Sequence, residues 1–249
     1  MDRISQTIYS LFVKPVLRLY LRRDTRMRVD GFSLHVKKNV FHPSFFFSTR
    51  YFYDFLNRQD LKDVKLLEIG CGAGLLSMLA YRKGAKVTAV DIDLNAVDNT
   101  RYNFRQNFQR EEDRMILQSD LFAALPVSAF DVVVINPPFY FRRPERPGEH
   151  AWYCGANGEY YEALFAGLSA YIHTSSRVFM VLPESPELAR VSRIAAHYDF
   201  QLDAVDTKKI AWEKNHIFSI STTSADRQKE PEKAELPGFG NNPKKLSPP

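Results

Sequence analysis

The 249-residue sequence has few of the residues that build disulfide frameworks, metal centres or membrane spans. Its two cysteines, Cys71 and Cys154, stand far apart and form no CxxC pair, so neither a disulfide framework nor a zinc module is supported. The six histidines show no metal-ligand spacing. Near the start, Lys14, Pro15 and Arg18 interrupt the apolar stretch before it reaches the roughly 18 residues of a spanning helix. With no signal-peptide core either, we expect a cytoplasmic protein without a membrane span or a metal.

The composition, with 45% hydrophobic and 25% charged residues, is that of an ordinary soluble globular protein and excludes fibrous and wholly disordered chains. The formal net charge of +5 is concentrated at the start of the chain. Residues 1–50 contain 10 Lys and Arg against 3 Asp and Glu, a net of +7, which leaves −2 for residues 51–249. The basic segment suits nucleic acid, an anionic membrane or an acidic protein, and charge alone does not choose among them.

The patterning divides the chain into three segments. In residues 1–43, helical spacing of apolar residues predicts a basic helix, and Asp30-Gly31 between alternating apolar residues predicts a β-hairpin. We interpret the helix as a brace or a docking arm in preference to a membrane-surface helix. Residues 44–223 alternate between helix and strand patterns, which predicts an α/β, doubly wound, largely parallel sheet. Residues 224–249 contain five prolines and few apolar groups, which predicts a disordered tail.

A glycine-rich sequence stands where the first buried strand of this sheet gives way to a helix. It reads Glu68-Ile69-Gly70-Cys71-Gly72-Ala73-Gly74. Glycines let a backbone pass close to a ligand, and the start of a helix offers free amide groups to polar parts of that ligand. A nicotinamide-type GxGxxG would need a glycine at position 75, where this chain has Leu75.

Two carboxylates follow the next two strands. Asp91 comes about 20 residues after the glycines, the distance at which an acidic group meets ribose hydroxyls in nucleotide-binding sheets. Asp120, between Ser119 and Leu121, follows the third strand, where a carboxylate can face an adenine amino group. Because the carboxyl ends of neighbouring strands meet at one edge of an open α/β sheet, the glycines and the two acids together predict an adenosine site.

A fourth motif, Asn136-Pro137-Pro138-Phe139, follows the apolar strand that ends at Ile135. The prolines fix the backbone, so the Asn136 side-chain oxygen and the Pro137 carbonyl can both accept hydrogen bonds from one NH2 group. Phe139 can stack on a flat substrate. Holding both hydrogens of a planar amide or amine turns its lone pair towards an electrophile, so we expect positioning to supply most of the catalysis.

With this motif, the chain resembles the class I S-adenosylmethionine-dependent methyltransferases that act on amide or exocyclic amine nitrogen. The resemblance covers about residues 40–222 and implies a Rossmann-like sheet with a last antiparallel strand. It also implies direct in-line transfer of the sulfonium methyl group to nitrogen, without a metal. The implied catalytic residues are Asn136, Pro137, Pro138 and Phe139. The implied cofactor-binding residues are Glu68, Gly70, Cys71, Gly72, Gly74, Asp91, Ile92, Asp120, Leu121 and Asn136.

The acceptor stays open between two macromolecules. The stretch after residue 150 is most similar to short HemK-type glutamine methyltransferases, which makes a translation factor protein the first expectation. An adenine or guanine amino group of rRNA or tRNA is the alternative, motivated by the basic start of the chain. The acidic residue that HemK-type enzymes carry before the first strand is missing from residues 41–49. A cofactor-binding partner protein without activity is disfavoured, because such a protein has no need of an acceptor clamp.

Two further clusters have a structural and a functional interpretation. The aromatic residues between positions 45 and 55 form either a wall over the pocket or part of the core, and we favour the core. Ser48 and Thr49 are possible pocket neighbours. The arginines at 142, 143 and 146 belong either to a loop beside the site that contacts phosphates or an acidic protein, or to an ordinary solvated loop.

Overall fold

The computed structural model describes residues 23–38, 40, 47–146, 149–210 and 213–223. The strands are β1 (Thr25–Val29), β2 (Phe32–Val36), β3 (Lys65–Ile69), β4 (Lys86–Asp91), β5 (Arg114–Gln118), β6 (Phe130–Ile135), β7 (Ile172–Pro183), β8 (Phe200–Ile210) and β9 (Glu213–Thr222). The helices are α1 (Phe47–Asn57), α2 (Leu75–Arg82), α3 (Leu94–Asn107), α4 (Glu159–Leu168) and α5 (Leu188–His197). The helix predicted near Ile4 and the tail predicted over 224–249 lie outside the described residues.

Seven strands form one sheet in the order β5-β4-β3-β6-β7-β9-β8. The pairs from β5 to β7 are parallel, and β9 runs antiparallel to both of its neighbours. The predicted fold class, a doubly wound, largely parallel sheet with a last antiparallel strand, is confirmed. The chain leaves β3 for β4 and β5 on one side and continues with β6 on the other, so β3 and β6 flank the switch point where such sheets bind ligands.

The sheet is covered on both faces because successive strand residues point to opposite sides. Leu66 and Val132 pack against α1, α2 and α3, whereas Leu67 and Val133 belong to the second core cluster, with α4 and α5. The aromatic side chains of α1 lie in the first cluster, which confirms the core interpretation for those described: Tyr51, Phe52, Tyr53 and Phe55.

Most predicted strands and helices lie within a few residues of their observed bounds, and β7 differs most. The apolar pattern predicts a strand from Ser176 to Leu182, whereas β7 begins at Ile172. Its first half is exposed or half-buried, so it has no apolar pattern to detect. The sequence pattern also predicts a helix from Tyr160 to Tyr171, whereas α4 ends at Leu168 and is followed by a 3₁₀ turn, Ser169–Tyr171. There the Tyr171 hydroxyl donates to the carbonyl oxygens of Phe122 and Leu125.

The predicted hairpin is present, and its turn has the positive φ angles that Asp-Gly adopts readily, 47° at Asp30 and 88° at Gly31. Alternate residues of β2 turn their backbone groups away from β1 and towards α3. There Asn99, Asn103 and Asn107 bond them through their side-chain amides. The asparagines are four residues apart in the helix, a rise of about 6 Å, and the residues they bond are two apart in the strand, a rise of about 7 Å. The two spacings are nearly equal, so each asparagine meets the next backbone group along the strand.

Asn103, the middle residue of this ladder, also reaches beyond the hairpin. Its Oδ1 accepts the His35 amide at 2.9 Å, and its Nδ2 donates to the carbonyl oxygens of His35 at 2.7 Å and Ala73 at 2.8 Å. The side chain is fully buried. It therefore joins the hairpin to the glycine-rich loop between β3 and α2.

We expect Asn103→Ala to lower the free energy of unfolding by about 2–3 kcal/mol, because it leaves buried backbone groups without partners. Urea unfolding of the full chain measures this. Gln106→Ala, at an exposed position of the same helix, is the control and should change the value by less than about 0.5 kcal/mol. Equal stabilities of the two variants would contradict the role given to the ladder.

Candidate active site

A cavity of about 870 Å³ opens at the carboxyl ends of β3, β4 and β6. A volume of this size suits a cofactor together with part of a second molecule. Most of the residues predicted from the motifs line it: Glu68, Gly70, Cys71, Gly72, Asp91, Ile92, Asp120, Leu121, Asn136 and Pro138. Three predicted site residues do not line it, namely Gly74, Pro137 and Phe139.

The glycine-rich loop is shaped by contacts as well as by ligand access. Gly74 has φ 80°, and a Cβ added there would lie 2.6 Å from Thr100 Cγ2. This glycine is required by the packing of the loop against α3. A Cβ added at Gly70 meets only the Asn136 carbonyl oxygen, at 3.9 Å. The open space at Gly70 is what close approach of a ligand to the backbone requires.

Glu68 has a structural partner that the sequence alone does not show. Gly74 precedes the first residue of α2 and has no side chain to cap the helix. The Glu68 carboxylate accepts the amide of Ser77, the third helical residue, at 2.9 Å, and also its hydroxyl. It therefore satisfies one of the free amides at the helix start. Burial raises the pKa of Glu68 from 4.5 to about 8, although the bonds from Ser77 act against this.

Asp91 ends β4 and holds the loop in the shape that faces the cavity. Its Oδ2 accepts the Gly72 amide at 2.9 Å, and its Oδ1 accepts the Asp93 amide at 3.0 Å. Burial raises the pKa of this carboxyl. Because each carboxylate oxygen has more than one lone pair, both can accept a further bond from a ligand hydroxyl.

Asp120 differs from Asp91 in being exposed. It follows β5 on the rim of the cavity, next to Leu121, which has a positive φ of 49°. On the same rim, 39% of the Ile92 surface is exposed. An apolar surface beside an exposed carboxylate suits a flat ring that carries an amino group.

The motif after β6 contains one side-chain acceptor without a partner, in a residue that lines the cavity. Asn136 Nδ2 donates to Thr49 Oγ1 at 3.2 Å, whereas Asn136 Oδ1 is buried and has no hydrogen-bond partner. Tyr161 of α4 anchors the turn, because its hydroxyl donates to the Pro138 carbonyl oxygen at 3.0 Å. Phe139 is partly buried, packs against the core cluster of α4 and α5 and does not line the cavity. Its predicted place beside the acceptor stays a prediction.

The segment after the motif forms one wall of the cavity. The Tyr140 amide donates to the Trp152 carbonyl, and the Cys154 amide donates to the Tyr140 carbonyl, so both ends of this loop are tied together. Exposed Arg143 lines the cavity, as does Tyr160 at the start of α4. The motifs do not single out Tyr160, and its place in a tyrosine pair after Gly158 is the only signal in the sequence.

Comparison with known proteins agrees with this geometry. Residues 32–147 match the model of the family described as "Methyltransferase small domain". This segment therefore resembles a methyltransferase small domain. The match agrees with the methyltransferase class predicted from the motifs. The predicted cofactor, S-adenosylmethionine, is bound in a solved structure that shares the fold. The second strand of the hairpin, β2, lies inside the matched segment.

The curated relatives act on different components of translation. The chain is 35% identical over 140 residues to "Ribosomal RNA small subunit methyltransferase C" of Chromohalobacter salexigens, covering 54% of this chain and 41% of that protein. It is 37% identical to "Ribosomal protein L11 methyltransferase" of Porphyromonas gingivalis over 36% of this chain and 30% of that one. It is 38% identical to "tRNA1(Val) (adenine(37)-N6)-methyltransferase" of Phocaeicola vulgatus over 34% of this chain and 36% of that one. The domain match thus spans less than half of each relative.

Solved structures share the fold. The T. thermophilus 16S rRNA N2 methyltransferase, solved with AdoMet and guanosine, aligns with a TM-score of 0.55 at 22% identity, over 79% of this chain and 50% of that one. The HemK-type relationship receives no specific support from these comparisons. In the described part of the chain, no helix is long and apolar enough to cross a membrane, and no three His, Cys, Asp or Glu side chains cluster as metal ligands do.

The raised pKa of Glu68 predicts a pH dependence of stability. Between its ordinary value of 4.5 and about 8, the folded protein keeps a proton that the unfolded chain releases. The resulting stabilisation is complete below the ordinary value and is lost as the pH rises through about 8. We expect the free energy of unfolding to fall less steeply between about pH 5 and pH 8 in Glu68→Gln than in the wild type. Urea unfolding at each pH tests this, and parallel curves would contradict it.

Proposed function

We propose that this protein is an N-methyltransferase that transfers the methyl group of S-adenosylmethionine to an exocyclic amino group of an RNA base. The observation that carries the proposal is the buried Oδ1 of Asn136, which has no hydrogen-bond partner and belongs to a residue that lines the cavity. A buried acceptor without a partner is costly, and an incoming N–H group satisfies it. The acceptor must therefore carry hydrogen on the reacting nitrogen, as adenine, guanine and carboxamides do.

The cavity suits the cofactor on the evidence of its own residues. The open space at Gly70 lets a ligand approach the backbone closely. Asp91 has lone pairs left to accept hydrogen bonds from ligand hydroxyl groups. Asp120 lies beside the apolar residues Ile92 and Leu121 in the cavity lining. The cofactor, when bound, supplies an electrophilic methyl group on a sulfonium. The protein aligns the acceptor nitrogen with that methyl, and Asn136 Oδ1 holds an N–H so that the nitrogen lone pair points at it.

An RNA acceptor is favoured by two observations. Curated relatives that share this domain are named for methylation of rRNA and tRNA. Exposed Arg143 lines the cavity, and Arg142 and Arg146 are exposed in the same loop, where cations can contact phosphates. A base has to be unpaired or flipped out to reach Asn136.

A protein side chain is the second candidate. Its support is the similarity to a ribosomal protein L11 methyltransferase, together with the resemblance of residues after 150 to glutamine methyltransferases. The free oxygen of Asn136 serves a carboxamide as well as a base. The experiment that identifies the acceptor therefore has to separate the two.

Purified protein with methyl-tritiated S-adenosylmethionine should label the RNA fraction of cells that lack this gene. Nuclease should release the label, and nucleoside separation should find it on an exocyclic amine. Asn136→Ala should reduce transfer about 100-fold because the nitrogen is no longer aligned. Label released only by protease would replace RNA with protein as the acceptor, and the absence of label in both fractions would overturn the proposal.

Asp120→Ala should raise the Kd of S-adenosylmethionine about tenfold, the effect of losing one hydrogen bond to the ligand. The Asp120 side chain is exposed and makes no hydrogen bond or ion pair within the described residues, so stability should not change. Asp203→Ala, an equally exposed carboxylate on strand β8 at the edge of the sheet, is the matched control. Calorimetric titration measures both. Unchanged affinity in Asp120→Ala would remove this residue from the cofactor site.

A further inference from the structure

We propose that Thr49 is a positioning residue for methyl transfer, which holds the amide of Asn136 with its oxygen turned to the acceptor. This inference rests on the proposed function. Thr49 Oγ1 accepts a hydrogen bond from Asn136 Nδ2 at 3.2 Å, across 87 residues of sequence. Thr49 is 7% exposed and lines the same cavity as Asn136.

The contact from Thr49 bears on which end of the Asn136 carboxamide faces the acceptor. A carboxamide has a donor end and an acceptor end of nearly equal shape, and a half-turn about its last bond exchanges them. If the donor end faced the cavity, it would meet the hydrogens of the acceptor amine and repel them. In the structure the Thr49 hydroxyl accepts a hydrogen from Nδ2, and in this orientation Oδ1 is the amide atom without a partner.

The two residues come from elements that are independently fixed. Asn136 follows β6 in the middle of the sheet, and Pro138 in the same turn accepts the Tyr161 hydroxyl. Thr49 lies in the first turn of α1, whose buried aromatic face packs in the core beside α2. Both ends of the contact are therefore rigid, as a positioning contact requires.

Thr49→Val keeps the shape of the side chain and removes the hydroxyl, whereas Thr49→Ser keeps the hydroxyl. We expect Thr49→Val to lower kcat of methyl transfer about tenfold to 100-fold and to leave the Kd of S-adenosylmethionine within about twofold. Thr49→Ser should retain at least about a third of the wild-type kcat, because it restores the bond. Ser48→Ala, a neighbouring buried hydroxyl outside the cavity lining, is the matched control and should behave as the wild type.

A double-mutant cycle separates positioning from a general structural effect. If Thr49 acts through Asn136, then adding Thr49→Val to Asn136→Ala should change kcat by less than about twofold. An equal loss in both backgrounds, a wild-type kcat in Thr49→Val, or no rescue by Thr49→Ser would each overturn the assignment.

A spectroscopic readout keeps this test independent of the acceptor. The side-chain NH2 signals of Asn136, identified by their absence in Asn136→Ala, should shift in nitrogen-15 correlation spectra of Thr49→Val and remain in place in Ser48→Ala. Unmoved signals would contradict the contact. A wild-type protein that methylates neither RNA nor protein, with the expected spectral shift, would overturn the proposed function while supporting the contact. An active wild type with unmoved signals would overturn the contact alone.

Discussion

The parallel register of β3 between β4 and β6 is the constraint on which the site depends. Ile69 pairs with Val90 on one side and with Ile135 on the other. The residues that follow these three strands therefore lie side by side at the same edge of the sheet. The glycine loop, Asp91 and Asn136 are therefore neighbours in space although 66 residues separate the first glycine from the asparagine. A slip of one residue in either pairing would turn alternate side chains to the opposite face and separate the acids from the loop.

Two acidic residues at this edge of the sheet, Glu68 and Asp91, accept hydrogen bonds from the protein's own backbone. Glu68 caps α2, where Gly74 offers no side chain, and Asp91 holds the Gly72 amide. Tight loops that leave room for a ligand lack side chains for their own amides, and carboxylates from adjacent strands supply the missing acceptors. The same arrangement explains why their pKa values are raised, since burial in the loop outweighs the bonds that stabilise the charge.

The sequence was sufficient to predict the α/β sheet, its order of elements and the residues that gather at the cavity, because strand periodicity and motif spacing are local properties. It was insufficient where a contact depends on packing between distant elements. The hydrogen bond from Asn136 to Thr49 and the bonds from Ser77 to Glu68 correspond to no periodic pattern in the sequence. Nor did the sequence indicate that Phe139 packs against the core cluster of α4 and α5 and does not line the cavity.

The asparagine ladder also decides what the hairpin can do with other molecules. A two-stranded ribbon has two open edges, and each is a template on which a foreign strand can pair and aggregation can begin. Here a helix supplies side-chain amides in place of a third strand and occupies one edge with the donors and acceptors of a peptide backbone. An edge closed by a helix cannot grow, because side-chain amides leave no further row of backbone groups beyond them.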